Sequence, residues 1–293
     1  MKTLFLILII TTKIFASIFY GDDRKDFHEI KEPKIKELSA SIPSLIQKEK
    51  LIEKDDHWQI NTKSLENSSY KFCSDANFAQ EKLLANCSAS LIAPDLVLTA
   101  AHCLEKDWVE SIYHPRAYMI VFDYKKTHKD EEITKLPKEN VYEIEDNMPL
   151  YEYSWNNMLD VAILKLKRPV TDRRPIKLNL NHDYSTATPL FVLGYPLGVS
   201  QKLTDESNII SVGETQNSFR HYLDTFSVNS GSAIFDKDTY EIIGVHVRGT
   251  MGKDPSGRND CRDWRVGIPG EDYGEANMLS PLKNQIEKIL EAN

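Results

Sequence analysis

The 293-residue chain has no long hydrophobic run, since its longest unbroken apolar stretch, Leu4 to Ile10, covers seven residues. A helix needs about 20 apolar residues to cross a bilayer, so no integral membrane segment is expected in the mature chain. The start Met1-Lys2, the apolar run and the small residue Ala16 are instead typical of a secretory signal peptide over residues 1–16. We therefore expect a secreted or periplasmic protein.

Basic residues are also in deficit, because 36 Lys and Arg stand against 44 Asp and Glu, a formal net charge of −8. Nucleic-acid phosphates are bound by clustered Lys and Arg, and we expect no nucleic-acid partner. The eight histidines show no i, i+4 pair and no carboxylate cluster at ligand spacing. We expect no metal and no cofactor.

Cysteine is scarce but even in number, with Cys73, Cys87, Cys103 and Cys261. Four cysteines allow three pairings, and an exported protein tolerates disulfides because its compartment is oxidising. We expect two bridges.

Three short motifs carry residue types that cooperate in nucleophilic catalysis. His102 follows the run Leu98 to Ala101, Asp160 heads an apolar strand, and Ser230 lies in the turn Asn229 to Ser232. A serine hydroxyl attacks a carbonyl only if a neighbouring imidazole takes its proton. A buried carboxylate must orient that imidazole and stabilise its positive charge. The order His, Asp, Ser along the chain is that of the chymotrypsin-like double barrel.

These motifs resemble the trypsin-like serine peptidases over most of the chain from Cys73 onward. The segment from Asn86 through Cys103 is similar to that family's first barrel, and the run Asp224 to Ser232 resembles its bacterial glutamyl-endopeptidase branch. The resemblance implies the pairing Cys87–Cys103, which leaves Cys73 for Cys261. It also implies a catalytic triad of His102, Asp160 and Ser230.

Short apolar runs of strand length follow Cys73, and their β-branched content and turn spacing favour an all-β fold. We predict two packed six-stranded antiparallel β-barrels, chymotrypsin-like, with a C-terminal helix after Ser280-Pro281. The expected division is a signal peptide at 1–16, a prosegment or N-terminal arm at 17–63, and the peptidase domain at 64–293.

Substrate selection has two interpretations. Asp224 lies six residues before Ser230, the spacing at which trypsin-like enzymes carry the aspartate that binds Lys or Arg. Thr225 and His246 match pocket positions of the glutamyl-endopeptidase branch, where a hydroxyl and an imidazole can bind a substrate carboxylate. We favour cleavage after Glu or Asp over cleavage after Lys or Arg.

Two positions depart from the family pattern. The resemblance assigns the oxyanion hole to the backbone N–H groups of Val228 and Ser230, and the first of these positions is normally glycine. A β-branched residue resists the backbone angles that glycine permits, so we expect either an ordinary Val228 conformation or a hole that forms on substrate binding, and a slow enzyme. Asn229 replaces an aspartate that pairs with a new N-terminal ammonium in trypsin-like zymogens, so no such switch is expected.

The function indicated is a serine endopeptidase that acts on protein or peptide substrates as a monomer, through an acyl-enzyme. The alternative is a weak or inactive homologue that serves as a binding or adhesion protein, with Val228 a mark of lost activity. The intact set of His102, Asp160 and Ser230 favours the enzyme.

Overall fold

The computed structural model describes residues 16–104, 115–154, 156–181, 184–213 and 215–293. The signal peptide predicted over residues 1–16 lies outside this part of the chain, apart from the backbone of Ala16. The architecture is mostly β, as predicted. Its strands are β1 (Ala16–Ser17), β2 (Lys25–Asp26), β3 (Ser44–Gln47), β4 (Leu51–Glu53), β5 (His57–Ile60), β6 (Cys87–Ser88), β7 (Ser90–Ala93), β8 (Leu96–Thr99), β9 (Tyr118–Val121), β10 (Lys135–Pro137), β11 (Val141–Glu143), β12 (Leu150–Ser154), β13 (Leu159–Lys165), β14 (Pro189–Gly194), β15 (Lys202–Asn208), β16 (Ser211–Val212), β17 (Ser218–His221), β18 (Thr225–Phe226), β19 (Ala233–Asp236), β20 (Ile242–Gly249) and β21 (Gly274–Met278).

The first barrel is built from three antiparallel sheets, with orders β11-β9-β3-β6, β12-β13-β8-β7 and β10-β5-β4. Its strands carry apolar side chains that are almost completely buried, such as Leu98, Ile120 and Ile163. Burying a side chain of this size stabilises the fold by about 1.5–3 kcal/mol. The β8–β13 pair of this barrel holds two of the three predicted catalytic residues at one end.

The second barrel is one antiparallel eight-stranded sheet, ordered β16-β17-β21-β20-β19-β14-β15-β2. Six of these strands have four or more residues, and the two-residue strands β16 and β2 lie at the edges. The predicted six-strand barrel is thus extended at both edges. Leu190, Val192 and Ile234 fill its interior, whereas Phe191 and Phe235 stack on the opposite face, with ring centroids 4.5 Å apart, and pack with the core of the first barrel.

The predicted domain boundary at residue 64 does not separate an appendage from a barrel. Strand β3 lies in the middle of a first-barrel sheet, between β9 and β6. Its residues Leu45 and Ile46 are fully buried. Removing this central strand would expose both side chains and leave one edge of β9 without its partner, so residues 44–47 are part of the barrel.

The amino-terminal segment, defined here as residues 16–29, packs on the second barrel. Strand β1 pairs with β18, and β2 pairs with β15. The Arg24 guanidinium lies 3.7 Å from the ring centroid of Trp264, and its side chain is fully buried. Lys202 is 1% exposed and binds Asp26 Oδ1 at 2.6 Å. Lys202 also binds Glu81 at 2.9 Å, so removing the segment would take away one of the two carboxylates that neutralise this buried ammonium and would destabilise the fold.

Two α-helices flank the barrels. Helix α1 (Pro33–Ser39) has proline in its first turn, where the missing N–H is harmless. Helix α2 (Lys283–Glu291) is the predicted C-terminal helix, and it buries Ile286. No helix among the described residues is long and apolar enough to cross a membrane.

Candidate active site

The β8–β13 pairing brings His102 and Asp160 together. Thr99 lies opposite Ala162 in this antiparallel register, so the chain positions that follow Thr99 lie beside those that precede Ala162. His102 sits in the short 3-10 turn Ala101–Leu104 that directly follows β8. Asp160 is near the start of β13 and is 7% exposed. The first barrel therefore supplies an imidazole and a buried carboxylate side by side.

The carboxylate of Asp160 holds the histidine at two atoms. His102 Nδ1 lies 2.6 Å from Asp160 Oδ2, and the His102 backbone N–H donates to Asp160 Oδ1 at 2.9 Å. This arrangement places the Nδ1 proton toward Asp160 and leaves Nε2 as the acceptor. His102 Nε2 lies 2.8 Å from Ser230 Oγ of the second barrel. The three side chains form one hydrogen-bonded chain across the interface between the barrels.

Both expected disulfides are present. Cys87–Cys103 fixes the residue after His102 to strand β6, and Cys73–Cys261 joins two loops separated by 188 residues. Among the described residues no cysteine is free. The first bridge restrains the turn that carries the imidazole.

The turn that carries Ser230 requires glycine at position 231. Gly231 has φ +84°, and a Cβ atom on it would lie 2.1 Å from the Ser88 carbonyl oxygen. The backbone passes this close because Ser88 N–H donates to the Ser230 carbonyl at 2.8 Å, and Gly231 N–H donates to the His246 carbonyl at 2.8 Å. These bonds fix Ser230 between the two barrels.

Val228 adopts the left-handed backbone region, with φ +77°, and not the ordinary conformation considered from the sequence. Its neighbours hold it there: Leu197 N–H donates to the Ser227 carbonyl at 2.7 Å, and Ser88 Oγ donates to the Val228 carbonyl at 3.1 Å. In a trans peptide the C=O and the following N–H point in opposite directions. The bond from Leu197 therefore turns the Val228 N–H away from Leu197. A β-branched residue in this region is strained by about 1–3 kcal/mol.

A cavity of about 580 Å³ opens beside Ser230, and we name it the primary cavity. Its walls are residues 226–228 before the serine, residues 246–250 of β20 and its continuation, and Tyr273 and Glu275. His246 is one of the predicted pocket residues and does line it. Thr225 is 3% exposed and pairs with Ser17, and the threonine that lines the cavity is Thr250.

His246 is hydrogen-bonded to a second buried histidine. His221 accepts from Leu223 N–H at Nδ1 (3.2 Å), so in a neutral ring its Nε2 carries the proton. His221 Nε2 lies 3.2 Å from His246 Nδ1. This chain leaves the Nε2 proton of His246 free to donate. Burial lowers the pKa of His221 to about 3 and that of His246 well below its usual range, so both rings are neutral at physiological pH.

Asp224 does not line the primary cavity, contrary to the trypsin-like interpretation of its spacing. Its carboxylate accepts the Phe19 N–H at 2.7 Å and the Asp23 N–H at 3.2 Å, and the residue is 2% exposed. Burial raises the pKa of Asp224 to about 8. The side chain anchors the amino-terminal segment to the strand that precedes Ser230.

Three residues of the site carry no recognisable signal in an isolated motif: His221, Arg248 and Glu275. His221 and His246 lie on either side of strand β21. His221 is opposite Gly274, and His246 is opposite Ala276. A Cβ on Gly274 would lie 2.2 Å from the His221 ring. Arg248 follows His246 by two residues on β20, but a β-bulge between them breaks the alternation of faces, so this spacing alone does not place Arg248 at the site.

Three clusters of potential metal ligands exist among the described residues. The one at the site consists of His102 with the bonded pair Cys87 and Cys103, and a disulfide sulfur is not the thiolate that binds zinc. The other two clusters lie around Asp26 and Asp23. Asp26 binds Lys202, and Asp23 accepts the Thr204 hydroxyl and the Asp205 N–H.

Comparison with known proteins agrees with this geometry. A family model described as a trypsin-like peptidase domain matches residues 87–245, which is more than half of the chain. A solved structure of a Glu endopeptidase in complex with MPD superposes with a TM-score of 0.52 at 15% identity, covering 93% of this chain and 99% of that one. At this identity the likeness concerns the fold. The chain belongs to the trypsin-like peptidase family and has the chymotrypsin-like fold.

Proposed function

We propose that the protein is a serine endopeptidase that hydrolyses peptide bonds through an acyl-enzyme. The observation that carries the proposal is the hydrogen-bonded chain from Ser230 through His102 to Asp160, with distances of 2.8 and 2.6 Å. Ser230 Oγ attacks the scissile carbonyl while His102 Nε2 takes its proton, and the same proton then passes to the leaving amine. Water then attacks the acyl-enzyme while His102 takes its proton, and this proton returns to Ser230 Oγ as the carboxylic acid leaves. Asp160 orients the ring and stabilises the imidazolium.

The proposed oxyanion hole consists of the backbone N–H groups of Val228 and Ser230. The hydrogen bond from Leu197 N–H to the Ser227 carbonyl orients the Val228 N–H. The Ser230 N–H lies opposite the Asn229 carbonyl, which accepts from Ser232 N–H at 2.8 Å. Because these restraints exist before substrate binds, the donors are preorganised, and one such donor is worth about a hundred- to a thousandfold in turnover.

We propose cleavage after Glu or Asp. In support, His246 presents a free N–H donor to the primary cavity, and a carboxylate accepts such a bond. The alternative, cleavage after Lys or Arg, loses its support, since the Asp224 carboxylate is occupied by Phe19 and Asp23. The carboxylate that does line the primary cavity, that of Glu275, is already paired with an arginine, since its Oε1 lies 3.5 Å from Arg248 Nε.

Export and retention of the amino-terminal segment belong to the same proposal. The two disulfides are consistent with an oxidising compartment. A signal peptidase cut after Ala16 would leave β2, Arg24 and the Asp224 contacts intact. The mature enzyme then needs no ammonium switch, since the neutral Asn229 stands at that position. N-terminal sequencing of the exported protein tests this: a start beyond residue 29 in active enzyme contradicts it.

A fluorophosphonate probe tests the chemistry. We expect the wild type to be labelled and the Ser230→Ala variant to remain unlabelled. Folded wild type that takes no label would support the alternative of a non-catalytic binding protein. Digestion of a peptide library, read by mass spectrometry, then tests the side-chain preference: products ending in Lys or Arg would contradict the proposed specificity while leaving the peptidase assignment intact.

A further inference from the structure

A second cavity of about 230 Å³ lies on the Asp160 side of His102, and we name it the side cavity. It shares His102, Val247 and Arg248 with the primary cavity. Its other walls are Tyr153, Ser154, Met158, Leu159 and Asp160. The proposed reaction uses His102 and Asp160 and leaves the rest of this space without a role.

The strand between the two cavities has a free edge. Strand β20 pairs with β19 only as far as Val245, opposite Ala233, whereas on its other side it pairs with β21 as far as Gly249. Within the part of the chain that is described, no strand lies opposite residues 247–249 on the Ser230 side. An extended peptide binds such an edge as an added strand, and its successive side chains point to opposite faces. When the cleaved residue fills the primary cavity, the residue before it faces the other way, toward the side cavity.

Arg248 gives the side cavity a positive charge. It is the only Lys or Arg among the described residues that line either cavity. Its Nη2 donates to the Met158 carbonyl at 2.9 Å, and Asn277 Nδ2 donates to the same oxygen at 2.7 Å. These bonds hold Met158 at φ +56°, a strained conformation for a residue with a side chain. The hydrogen bond to the Met158 carbonyl, which joins the two barrels, therefore fixes the position of the guanidinium.

The Arg248 guanidinium has N–H donors that can bind a further acceptor. A guanidinium carries five N–H donors. The side chain is 30% exposed, and its buried Nε forms an ion pair with Glu275 Oε1 at 3.5 Å without a hydrogen bond. Among the described residues, the acceptors of the two Nη groups are the Met158 carbonyl oxygen and, at 3.9 Å, the weakly accepting Met158 sulfur. Asp160, the acid in the side cavity, has both oxygens engaged by His102. A substrate carboxylate in the side cavity would therefore find its partner in Arg248.

We propose that the side cavity is a subsite for an acidic side chain, carried by the residue immediately N-terminal to the cleaved one, and that Arg248 recognises its carboxylate. This inference rests on the proposed peptidase function. It makes the enzyme selective for peptides with an acid at that upstream position, independently of which residue fills the primary cavity.

The test uses pairs of fluorogenic peptides that differ only in Glu or Gln at the upstream position. Each pair is made with Glu, Lys or Phe as the cleaved residue, so that a wrong assignment of the primary preference is seen separately. For wild type we expect kcat/KM about tenfold higher with upstream Glu, typical of a charge-assisted hydrogen bond. We expect the ratio to fall as NaCl is raised, because salt screens a partly exposed pair.

Variants assign the preference to Arg248. We expect Arg248→Gln to reduce the Glu to Gln ratio to about one and Arg248→Lys to keep part of it. The exposed Arg258, which pairs with Asp75 and lines neither cavity, supplies the control Arg258→Gln, which should keep the wild-type ratio. Arg248 also holds Met158, so the ratio is compared and not the overall rate.

A wild-type ratio of one or less overturns the inference, even if Arg248→Gln fails to fold. A ratio that persists in Arg248→Gln overturns it as well. If no peptide is cleaved and the fluorophosphonate does not label Ser230, the peptidase proposal itself is wrong and the subsite is lost with it.

Discussion

Asp224 makes the stability of this protein depend on pH in a direction opposite to that of most surface aspartates. Its carboxyl is 2% exposed, and burial raises its pKa to about 8 from an ordinary value of 3.8. Between these values the folded protein holds a proton that the unfolded chain has released. The stabilisation is complete below about pH 4 and is lost as the pH rises through about 8.

The substitution Asp224→Asn removes the titrating proton while keeping an oxygen to accept the Phe19 N–H. Linkage gives about 1.4 kcal/mol per pH unit. The free energy of unfolding of the wild type, minus that of the variant, should therefore fall by about 4 kcal/mol between pH 5 and pH 8. Titrations shared by both proteins, such as those of His221 and His246, cancel in this difference.

We would measure urea unfolding by far-UV circular dichroism, with the disulfides intact and in a Ser230→Ala background that prevents self-digestion. Asp238→Asn, at an exposed turn position, is the matched control and should follow the wild-type curve. Parallel pH curves for the parent and Asp224→Asn would contradict this prediction, because they would mean that the buried carboxyl is already ionised at pH 5.

Three further results are expected. Asp160→Asn should lower kcat about ten-thousandfold at pH 7, because the amide favours the wrong His102 tautomer; a loss below about tenfold in steady-state assays would contradict the triad. Val228→Gly should raise the unfolding free energy by about 1 kcal/mol through relief of strain and change turnover by less than about threefold, since hydrogen bonds hold the proposed oxyanion donors before substrate binds. The control is Gln216→Gly, at an exposed residue with φ +54°, which should also be stabilised but should not change turnover. A large rise in turnover for Val228→Gly alone would show that the oxyanion hole is not preformed. Because burial keeps the pKa of His246 well below its usual range, the kcat/KM ratio for Glu over Gln at the cleaved position should change by less than about twofold between pH 6 and 8; a tenfold fall would mean that His246 is protonated when it selects substrate.

The sequence predicted the features that depend on local motifs. The barrels and the C-terminal helix are confirmed, because strand-length apolar runs and turn residues are read within short windows. Both disulfides are also confirmed, but their pairing came from the resemblance to the family, since Cys73 and Cys261 lie 188 residues apart. The proximity of His102, Asp160 and Ser230 follows from the order of three such motifs.

The features that the sequence did not reveal depend on distant contacts. The partner of Asp224 is Phe19, 205 residues away, and no spacing rule near Ser230 could show that this carboxylate faces the amino-terminal segment. The predicted boundary at residue 64 leaves strand β3 outside the peptidase domain for the same reason, since a lysine- and glutamate-rich stretch hides this short buried strand. Val228 shows how tertiary hydrogen bonds override a local backbone preference.

The stacking of Arg24 on Trp264 provides an intrinsic fluorescent reporter. Trp264 is 2% exposed and contacts Phe226, two residues before Val228. If the amino-terminal segment detaches, the Arg24 guanidinium no longer covers the Trp264 indole. The indole is then exposed to water, which shifts its fluorescence emission to the red. In a variant that retains Trp264 as its sole tryptophan, stopped-flow emission would time the release of the segment against the loss of hydrolysis, without any attached dye.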